Sequence, residues 1–260
     1  EEGLMPLTVK NVSFSYNTGK EILKNISLCI EDGQLVSIVG PNGSGKTTLV
    51  KCLNRIHTPS SGTIVFNEMD IMRANPSKIA KKIGYVPQIS SECTSGSVID
   101  YIMLGRRQYL GWKIRSDDLN AVMSAMERLD IVELANADFA KLSGGQKQKV
   151  LVARALVQEA DVFLFDEPTS NLDIKNQLEI MEIAKSIVKK EHKTVVMVVH
   201  DLNMAAHYSD KVALMDAGNI LCYGKPEEIL TAQNIKQVYD VDVGITRENL
   251  INPFAKACSI

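Results

Sequence analysis

The chain has 260 residues, of which 45% are hydrophobic and 23% are charged, as is ordinary for a soluble globular protein. This length suits one large domain, or a core with a smaller insert. The formal net charge of −2 disfavours a nucleic-acid-binding surface.

Apolar runs and cysteines point to a chain that stays in the cytoplasm. No apolar run approaches the roughly 20 residues that a membrane-spanning helix needs, and the densest run, at 194–199, has the length of a strand. The first ten residues are acidic and contain no apolar signal region. The cysteines are odd in number and form no CxxC pair, so we expect reduced thiols rather than a metal site. They are Cys29, Cys52, Cys93, Cys222 and Cys258.

The first part of the chain predicts strands. Apolar and polar residues alternate at 12–16 and 26–30, and turn signals follow at 17–19 and 31–33. Residues 35–39 form a short apolar run that predicts a buried strand. A glycine-rich loop comes next, then a helix at 48–53, and then short strands and turns over 60–88.

The pattern changes between residues 97 and 158, where apolar residues recur at helical spacing and predict a helical insert. Strand patterns return at 161–165 and 194–199, with an amphipathic helix at 177–190 between them. Strands that alternate with helices predict a parallel sheet. Residues 217–219 predict a hairpin, and Pro226 fits the first turn of a helix.

The glycine-rich loop fits the pattern G-x-x-x-x-G-K-S/T, between a predicted strand and a predicted helix. Glycines let backbone N–H groups turn towards phosphate oxygens, and the helix N-terminus adds partial positive charge. Lys46 is expected to reach the β- and γ-phosphates, and the Thr47 hydroxyl to ligate Mg²⁺. The predicted ATP-binding residues of the loop are Gly40, Pro41, Asn42, Gly43, Ser44, Gly45, Lys46, Thr47 and Thr48.

Two further segments carry chemistry. Asp166 and Glu167 end an apolar strand, where Asp166 suits Mg²⁺ and Glu167 suits a water that attacks the γ-phosphate. Ser143 and Gln146 form an S-x-x-Q capping box at the start of an amphipathic helix. That box does not explain Gly144 and Gly145 between them, since glycine weakens a helix, so we expect a second anion site at this helix start.

Together, GPNGSGKT, LSGGQ and FLFDEP resemble, in order and spacing, the ATP-binding cassette of ABC transporters, over essentially the whole chain. The resemblance implies an α/β fold: a P-loop NTPase (RecA-like) core with a parallel sheet, an N-terminal antiparallel β subdomain and an inserted α-helical subdomain. The single domain 1–260 would comprise a nucleotide-binding core, 1–88 and 160–260, and a helical subdomain, 89–159.

The resemblance also implies roles for single residues. Tyr16 would stack on adenine, Gln88 would reach Mg²⁺ and the attacking water, and His200 would donate to the γ-phosphate. The remaining histidines, His57, His192 and His207, match no motif and are expected at the surface. The residues implied to contact ATP in a second subunit are Ser143, Gly144, Gly145 and Gln146. The residues implied to couple the two active sites are Ser170, Asn171, Leu172 and Asp173.

The implied assembly is a head-to-tail dimer of two copies that enclose two ATP molecules, with Mg²⁺. The dimer would sit on a separate integral-membrane permease, at the cytoplasmic face of the membrane, and would serve a substrate-binding protein indirectly. A groove near residues 88–105 is expected to dock a helix of the permease, and Arg106 and Arg107 are expected to belong to that contact. No nucleic acid is expected as a partner.

Three segments, 100–112, 224–230 and 234–242, are similar to importers of iron–siderophore, haem and cobalamin. Each also fits an amphipathic surface helix. Molybdate or tungstate importers, an exporter's separate cassette and a soluble ABC ATPase without a membrane partner remain alternatives. An ATP-binding module without hydrolysis is disfavoured by Glu167 and His200.

Overall fold

The computed structural model describes residues 7–16, 19–88, 96–109, 115–246 and 251–252. Two compact units make up the chain, one formed by Glu1–Ala74 with Ala184–Ile260 and the other by Asn75–Ile183. The predicted division into a core and a helical subdomain stays a prediction. Several predictions fall outside the described residues; they concern turn residues 17 and 18, Cys93, Cys258 and residues 110–112 of the importer-like segment.

Strands and helices follow the predicted order along the described chain. The strands are β1 (Leu7–Ser15), β2 (Glu21–Ile30), β3 (Leu35–Val39), β4 (Ser61–Phe66), β5 (Met69–Asp70), β6 (Ile83–Val86), β7 (Val162–Phe165), β8 (Thr194–Val198), β9 (Lys211–Asp216), β10 (Asn219–Gly224), β11 (Gly244–Ile245) and β12 (Ile251–Asn252). The helices are α1 (Lys46–Leu53), α2 (Pro76–Ala80), α3 (Val98–Met103), α4 (Ser116–Arg128), α5 (Gly144–Leu156), α6 (Ile174–Glu191), α7 (Leu202–Tyr208), α8 (Pro226–Ile229) and α9 (Ala232–Tyr239). In the part of the chain that the structure describes, none of these helices is long and apolar enough to cross a bilayer.

The N-terminal strands of the first unit form the antiparallel sheet β2-β1-β4-β5, as predicted. Val9 and Val12 are both buried although they lie three residues apart. The register shifts between them, and Asn11 takes a left-handed φ of 50°. This bulge returns Val12 to the core face, because one extra residue reverses the side to which the following side chains point.

The first unit also holds the predicted parallel strands. β3 lies between β8 and β9 and runs parallel to both. All five residues of β3 and all five of β8 are buried, which explains why these strands are continuous apolar runs rather than alternating ones. β9 turns into β10 through Ala217 and Gly218, both with positive φ, which confirms the predicted hairpin.

The second unit contains the parallel pair β6 and β7 and the predicted helices α3, α4 and α5. Its short helix α2 was not predicted. The Asn75 side chain caps this helix by accepting from the Ser77 N–H at 2.9 Å, and Pro76 fits its first turn. The helix spans five residues and buries only Ile79, so it has no apolar periodicity to recognise.

Arg106 is buried in the second unit, with 7% of its surface exposed. Its Nε donates to Asp118 Oδ1 at 3.0 Å, and its Nη1 donates to the Val157 carbonyl at 3.0 Å and to Glu159 Oε1 at 2.8 Å. Its guanidinium lies 4.2 Å from the centre of the Tyr109 ring. The prediction that Arg106 contacts a membrane subunit is therefore wrong, because its charge is used inside the helical segment.

We predict that Arg106→Glu destabilises the protein by about 3–5 kcal/mol, since it breaks a buried ion pair and adds a carboxylate beside two others. The neighbouring Arg107 is exposed, so Arg107→Glu serves as a control and should change stability by less than about 0.5 kcal/mol. Urea unfolding of both variants measures the difference. Equal unfolding midpoints would contradict the structural role of Arg106.

Candidate functional site

The glycine-rich loop connects β3 to α1 in the first unit and closes around the side chain of Lys46. Lys46 is 4% exposed, and its Nζ donates to the carbonyls of Gly40 and Pro41, each at 2.9 Å. The Ser44 N–H also donates to the Pro41 carbonyl, at 3.2 Å. The ammonium group is thus held over the loop at the end of a buried strand.

Two glycines of this loop lie close to neighbouring strands. Gly40 has a φ of 152°, and a Cβ there would lie 2.2 Å from the Met215 carbonyl oxygen of β9. Gly45 has a φ of 102°, and its Cβ would lie 2.9 Å from Leu23 Cδ2 of β2. Gly43 also has a positive φ, 81°, but no atom lies within 4 Å of the position of its Cβ. Gly40 is therefore the most constrained of the three.

The start of α1 fits an anionic ligand. Its N-cap, Gly45, makes no side-chain capping hydrogen bond. Among the described residues, the buried Ser44 Oγ has no hydrogen-bond partner. A helix N-terminus, a buried hydroxyl and the Lys46 ammonium together supply donors and positive charge, which suit polyphosphate oxygens.

Tyr16 lies at the end of β1, and 45% of it is exposed. His57 stacks on Phe14 with ring centres 5.0 Å apart, and its Nε2 lies 3.3 Å from the Tyr16 hydroxyl oxygen. Burial, followed by the charge of Lys51, lowers the pKa of His57. His57 reaches the surface, as expected, but it is half-buried and contacts Tyr16, a contact that the sequence did not indicate. The other two histidines without a motif, His192 and His207, are exposed as expected.

His200 is exposed and follows β8 in the first unit. Since β3 and β8 are parallel neighbours, His200 and the glycine-rich loop lie at the same edge of the sheet. Asp201, next in the chain, starts α7 by accepting from the N–H groups of Asn203 at 2.8 Å and Met204 at 3.1 Å. The helix start thus fixes the backbone that follows His200.

Asp166 follows β7 in the second unit and is 2% exposed. Its N–H donates to the Val86 carbonyl at 2.9 Å, and the Tyr85 hydroxyl donates to its Oδ2 at 3.1 Å. Burial, and then the negative charge of Asp166, raises the pKa of Tyr85 far above its usual range. Tyr85 therefore remains a protonated donor that orients the carboxylate of Asp166.

Glu167 and Gln88 lie side by side because β6 and β7 are parallel and each residue follows one of these strands. Gln88 Nε2 donates to Glu167 Oε2 at 2.8 Å, and Ser170 Oγ donates to the same oxygen at 3.1 Å. Glu167 has a left-handed φ of 51°, a conformation rare for a residue with a side chain. The structure thus brings the predicted base and the predicted glutamine into direct contact.

The predicted Mg²⁺ ligands are distributed between the units, with Thr47 in the first and Gln88 and Asp166 in the second. In the described ranges, no group of three or more His, Cys, Asp or Glu residues forms a cage for a metal ion. Each of these residues carries an oxygen, the ligand atom that Mg²⁺ prefers, and Mg²⁺ usually takes one or two carboxylates together with phosphate and water.

The LSGGQ segment begins α5 with the predicted capping box. The Gln146 N–H donates to Ser143 Oγ at 3.3 Å, and the Ser143 N–H donates to Gln146 Oε1 at 3.0 Å. Gly144 is exposed, whereas Gly145 is buried. A Cβ at Gly145 would lie 2.5 Å from Asn176 Oδ1, so this glycine has a packing reason that the sequence pattern did not reveal.

The predicted coupling loop, Ser170 to Asp173, is held by two side chains from the first turns of α6. Asp173 Oδ1 accepts from both the N–H and the Nδ2 of Asn176, each at 2.8 Å. Gln177 Nε2 donates to the Thr169 carbonyl at 3.3 Å and to the Leu172 carbonyl at 3.1 Å. Sequence analysis missed Asn176 and Gln177. The one available signal was an Asp three residues before an Asn, which is typical of a helix start.

Comparison with known proteins identifies relatives over most of the chain. Residues 23–170 match the family model of the ABC transporter. An uncharacterized ABC transporter ATP-binding protein of Methanocaldococcus jannaschii is 43% identical over 93% of this chain and 94% of its own length. A cobalamin import ATP-binding protein of Halobacterium salinarum is 35% identical over 87% of this chain, which spans 57% of that protein. A petrobactin import ATP-binding protein of Bacillus subtilis is 32% identical over 91% of this chain and 94% of its own length.

Two solved structures extend the likeness to the fold. An ABC transporter assigned to the metal-chelate type, in an inward-facing conformation, has a TM-score of 0.80 at 29% identity and covers 95% of both chains. A dimeric ATP-binding cassette with bound ADP and Pi, in a post-hydrolysis state, has a TM-score of 0.76 at 29% identity and covers 85% of this chain and 98% of its own. These likenesses confirm the predicted α/β fold class.

We predict that Gly40→Ala costs about 3 kcal/mol or more, because the new Cβ would meet the Met215 carbonyl, which is backbone and cannot rotate away. Gly43→Ala is the matched control in the same loop. It keeps the positive φ but has open space, so its cost should be about 1 kcal/mol. Urea unfolding distinguishes the two, and equal losses would contradict the packing reason for Gly40.

Proposed function

The chain belongs to the ABC transporter family, and we propose that it is the ATP-hydrolysing motor subunit of an importer for metal chelates of the iron–siderophore, haem or cobalamin type. This cargo class is supported by the similarity of the chain to relatives named for cobalamin and petrobactin import and to a transporter assigned to the metal-chelate type. The importer-like segments 100–112, 224–230 and 234–242 agree with it.

ATP is the nucleotide of this family, and the first unit supplies the groups that would hold it. Lys46 carries a buried positive charge, and the N-terminus of α1, which begins at Lys46, adds partial positive charge. We assign the phosphates to residues 40–48. We assign the adenine ring to the exposed face of Tyr16, whose orientation is supported by His57.

Hydrolysis needs a group that orients or deprotonates water. Glu167 is assigned this role, and Gln88 is assigned to the same water because its amide contacts the Glu167 carboxylate. His200 is assigned a hydrogen bond to the γ-phosphate. Mg²⁺, when bound to Thr47, Gln88 and Asp166, would neutralise charge on the phosphate oxygens. Tyr85 would keep the Asp166 carboxylate oriented for that role.

Cassettes of this family form dimers and work with a membrane permease. We assign the segment Ser143, Gly144, Gly145 and Gln146 to the nucleotide held by a second copy, and the loop Ser170, Asn171, Leu172 and Asp173 to the contact between copies. The chain would then lie at the cytoplasmic face of the membrane, bound to a separate permease and serving a substrate-binding protein indirectly. Arg107, which is exposed, remains a candidate for the permease contact.

We predict that Glu167→Gln retains ATP binding, lowers hydrolysis by about 100-fold or more, and traps an ATP-bound dimer, because an amide cannot accept the proton of the attacking water. Phosphate release measures hydrolysis, and size-exclusion chromatography with light scattering measures the dimer. Hydrolysis at the wild-type rate would remove Glu167 from its assigned role.

We predict that Lys46→Ala differs from Glu167→Gln, because it should impair ATP binding rather than hydrolysis alone. This variant should weaken ATP binding itself by about tenfold or more, since a charge-assisted hydrogen bond to phosphate contributes about 1.5–3 kcal/mol. Titration with a fluorescent ATP analogue measures the affinity. Unchanged affinity would show that the glycine-rich loop does not hold the phosphates.

A tagged Glu167→Gln chain, purified with ATP and Mg²⁺ from gently solubilised native cells, tests the transport function. We expect a stoichiometric polytopic membrane protein in the purified complex, identified by mass spectrometry. Its associated binding protein would then lead to the cargo. Recovery of ribosomes, or of the chain alone, would contradict transport and favour a soluble ABC ATPase.

A further inference from the structure

Gly145, at the start of α5, lies against Asn176 in the first turn of α6. A Cβ added there would lie 2.5, 2.6 and 2.9 Å from the Oδ1, Cγ and Nδ2 atoms of Asn176. No Cβ approaches other atoms this closely, so the amide of Asn176 occupies the space that a side chain at residue 145 would need. Gly144, by contrast, has only Leu172 Cδ2 in range, at 3.6 Å.

Asp173 restrains Asn176 through one backbone and one side-chain hydrogen bond. Asp173 Oδ1 accepts from the backbone N–H and from the side-chain Nδ2 of Asn176. Gln177, the next residue, donates to the carbonyls of Thr169 and Leu172. Hydrogen bonds therefore join the loop 170–173 to the first turns of α6. Asn176 is the residue of this hydrogen-bonded segment that contacts the LSGGQ segment.

The same hydrogen-bonded segment is also joined to the carboxylate of Glu167. Ser170 Oγ donates to Glu167 Oε2, which also accepts from Gln88 Nε2. A continuous path of contacts thus joins Gln88, Glu167, the loop 170–173 and the LSGGQ segment of one chain. In the proposed dimer, Glu167 serves one nucleotide and LSGGQ serves the other.

We propose that Asn176 is a positioning residue that fixes the LSGGQ segment to the loop 170–173, so that the surface presented to the second copy's ATP is set by the loop that follows Glu167. This inference rests on the proposed function. It also gives a second reason for glycine at position 145. Besides allowing the backbone to approach a phosphate, glycine leaves room for the Asn176 amide. The inference also separates two properties: ATP binding by one chain, which does not involve Asn176, and closure of two chains on ATP, which does.

Asn176→Ala tests the proposal, with Glu179→Ala as its matched control. Glu179 lies three residues further along α6 and also contacts α5, through an ion pair with Lys149 at 2.9 Å. Its second ion pair, at 3.9 Å, is with Lys175 of α6 itself. We expect Asn176→Ala to lower kcat by about tenfold or more, since misplacement of a positioning group by 1 Å can cost ~100-fold. The Kd for ATP of the single chain and the thermal unfolding midpoint should stay near those of Glu179→Ala.

Closure of the dimer gives a readout that a merely structural role would not move. In a Glu167→Gln background, Asn176→Ala should raise the ATP concentration needed for half-maximal dimer formation, whereas Glu179→Ala should not. If Asn176→Ala and Glu179→Ala show the same kcat and the same dimer formation, the proposal is overturned. A wild-type chain that does not bind ATP at all would instead overturn the proposed function.

A double substitution tests the contact itself without nucleotide. Gly145→Ala should lower the thermal midpoint, because its Cβ meets the Asn176 amide. Gly145→Ala combined with Asn176→Ala should recover most of that loss, since all three crowded atoms are then absent. Simple addition of the two losses would show that Asn176 does not occupy this space, and would overturn the proposal even if both single variants were inactive.

Discussion

Parallel pairing of strands is the constraint on which the chemistry of both units depends. In the first unit, β3 and β8 are parallel neighbours, so the glycine-rich loop and His200 follow them at one edge. In the second unit, β6 and β7 are parallel neighbours, so Gln88 and Glu167 emerge close enough to form a hydrogen bond. Because a parallel sheet aligns the carboxyl ends of its strands, residues far apart in sequence are brought together by the backbone alone.

Local features of the sequence predicted local structure well. The loop with Lys46, the capping box of Ser143 and Gln146, and the hairpin at 217–219 each depend on residues a few positions apart, and each is present. Long-range contacts were not predictable in this way. Nothing within a few positions of Arg106 shows that Asp118 and Glu159 bury its charge, and nothing near His57 shows that it stacks on Phe14. The residue roles taken from the family resemblance remain predictions.

Glycine is needed in these motifs for more than one physical reason, and the structure distinguishes the reasons position by position. Gly43 is open and needs only its positive φ, whereas Gly40 is confined by the Met215 carbonyl and Gly145 by the Asn176 amide. A glycine in a phosphate-binding motif can therefore also be needed for packing against residues that are distant in sequence. For this reason, loss of activity on substitution of such a glycine does not by itself identify a phosphate contact, and stability has to be measured beside it.

Glu167 combines an unusual backbone with an engaged side chain. A left-handed φ in a residue with a side chain costs about 1–3 kcal/mol and persists only where neighbouring groups enforce it. Here Asp166 is tied to Val86 on one side, and Ser170 and Gln88 share the Glu167 Oε2 oxygen on the other. Each of these two donors lies on a segment that we assign to a partner: the permease for Gln88, and the second copy for Ser170. Binding of either partner therefore acts on a group that contacts the Glu167 carboxylate directly.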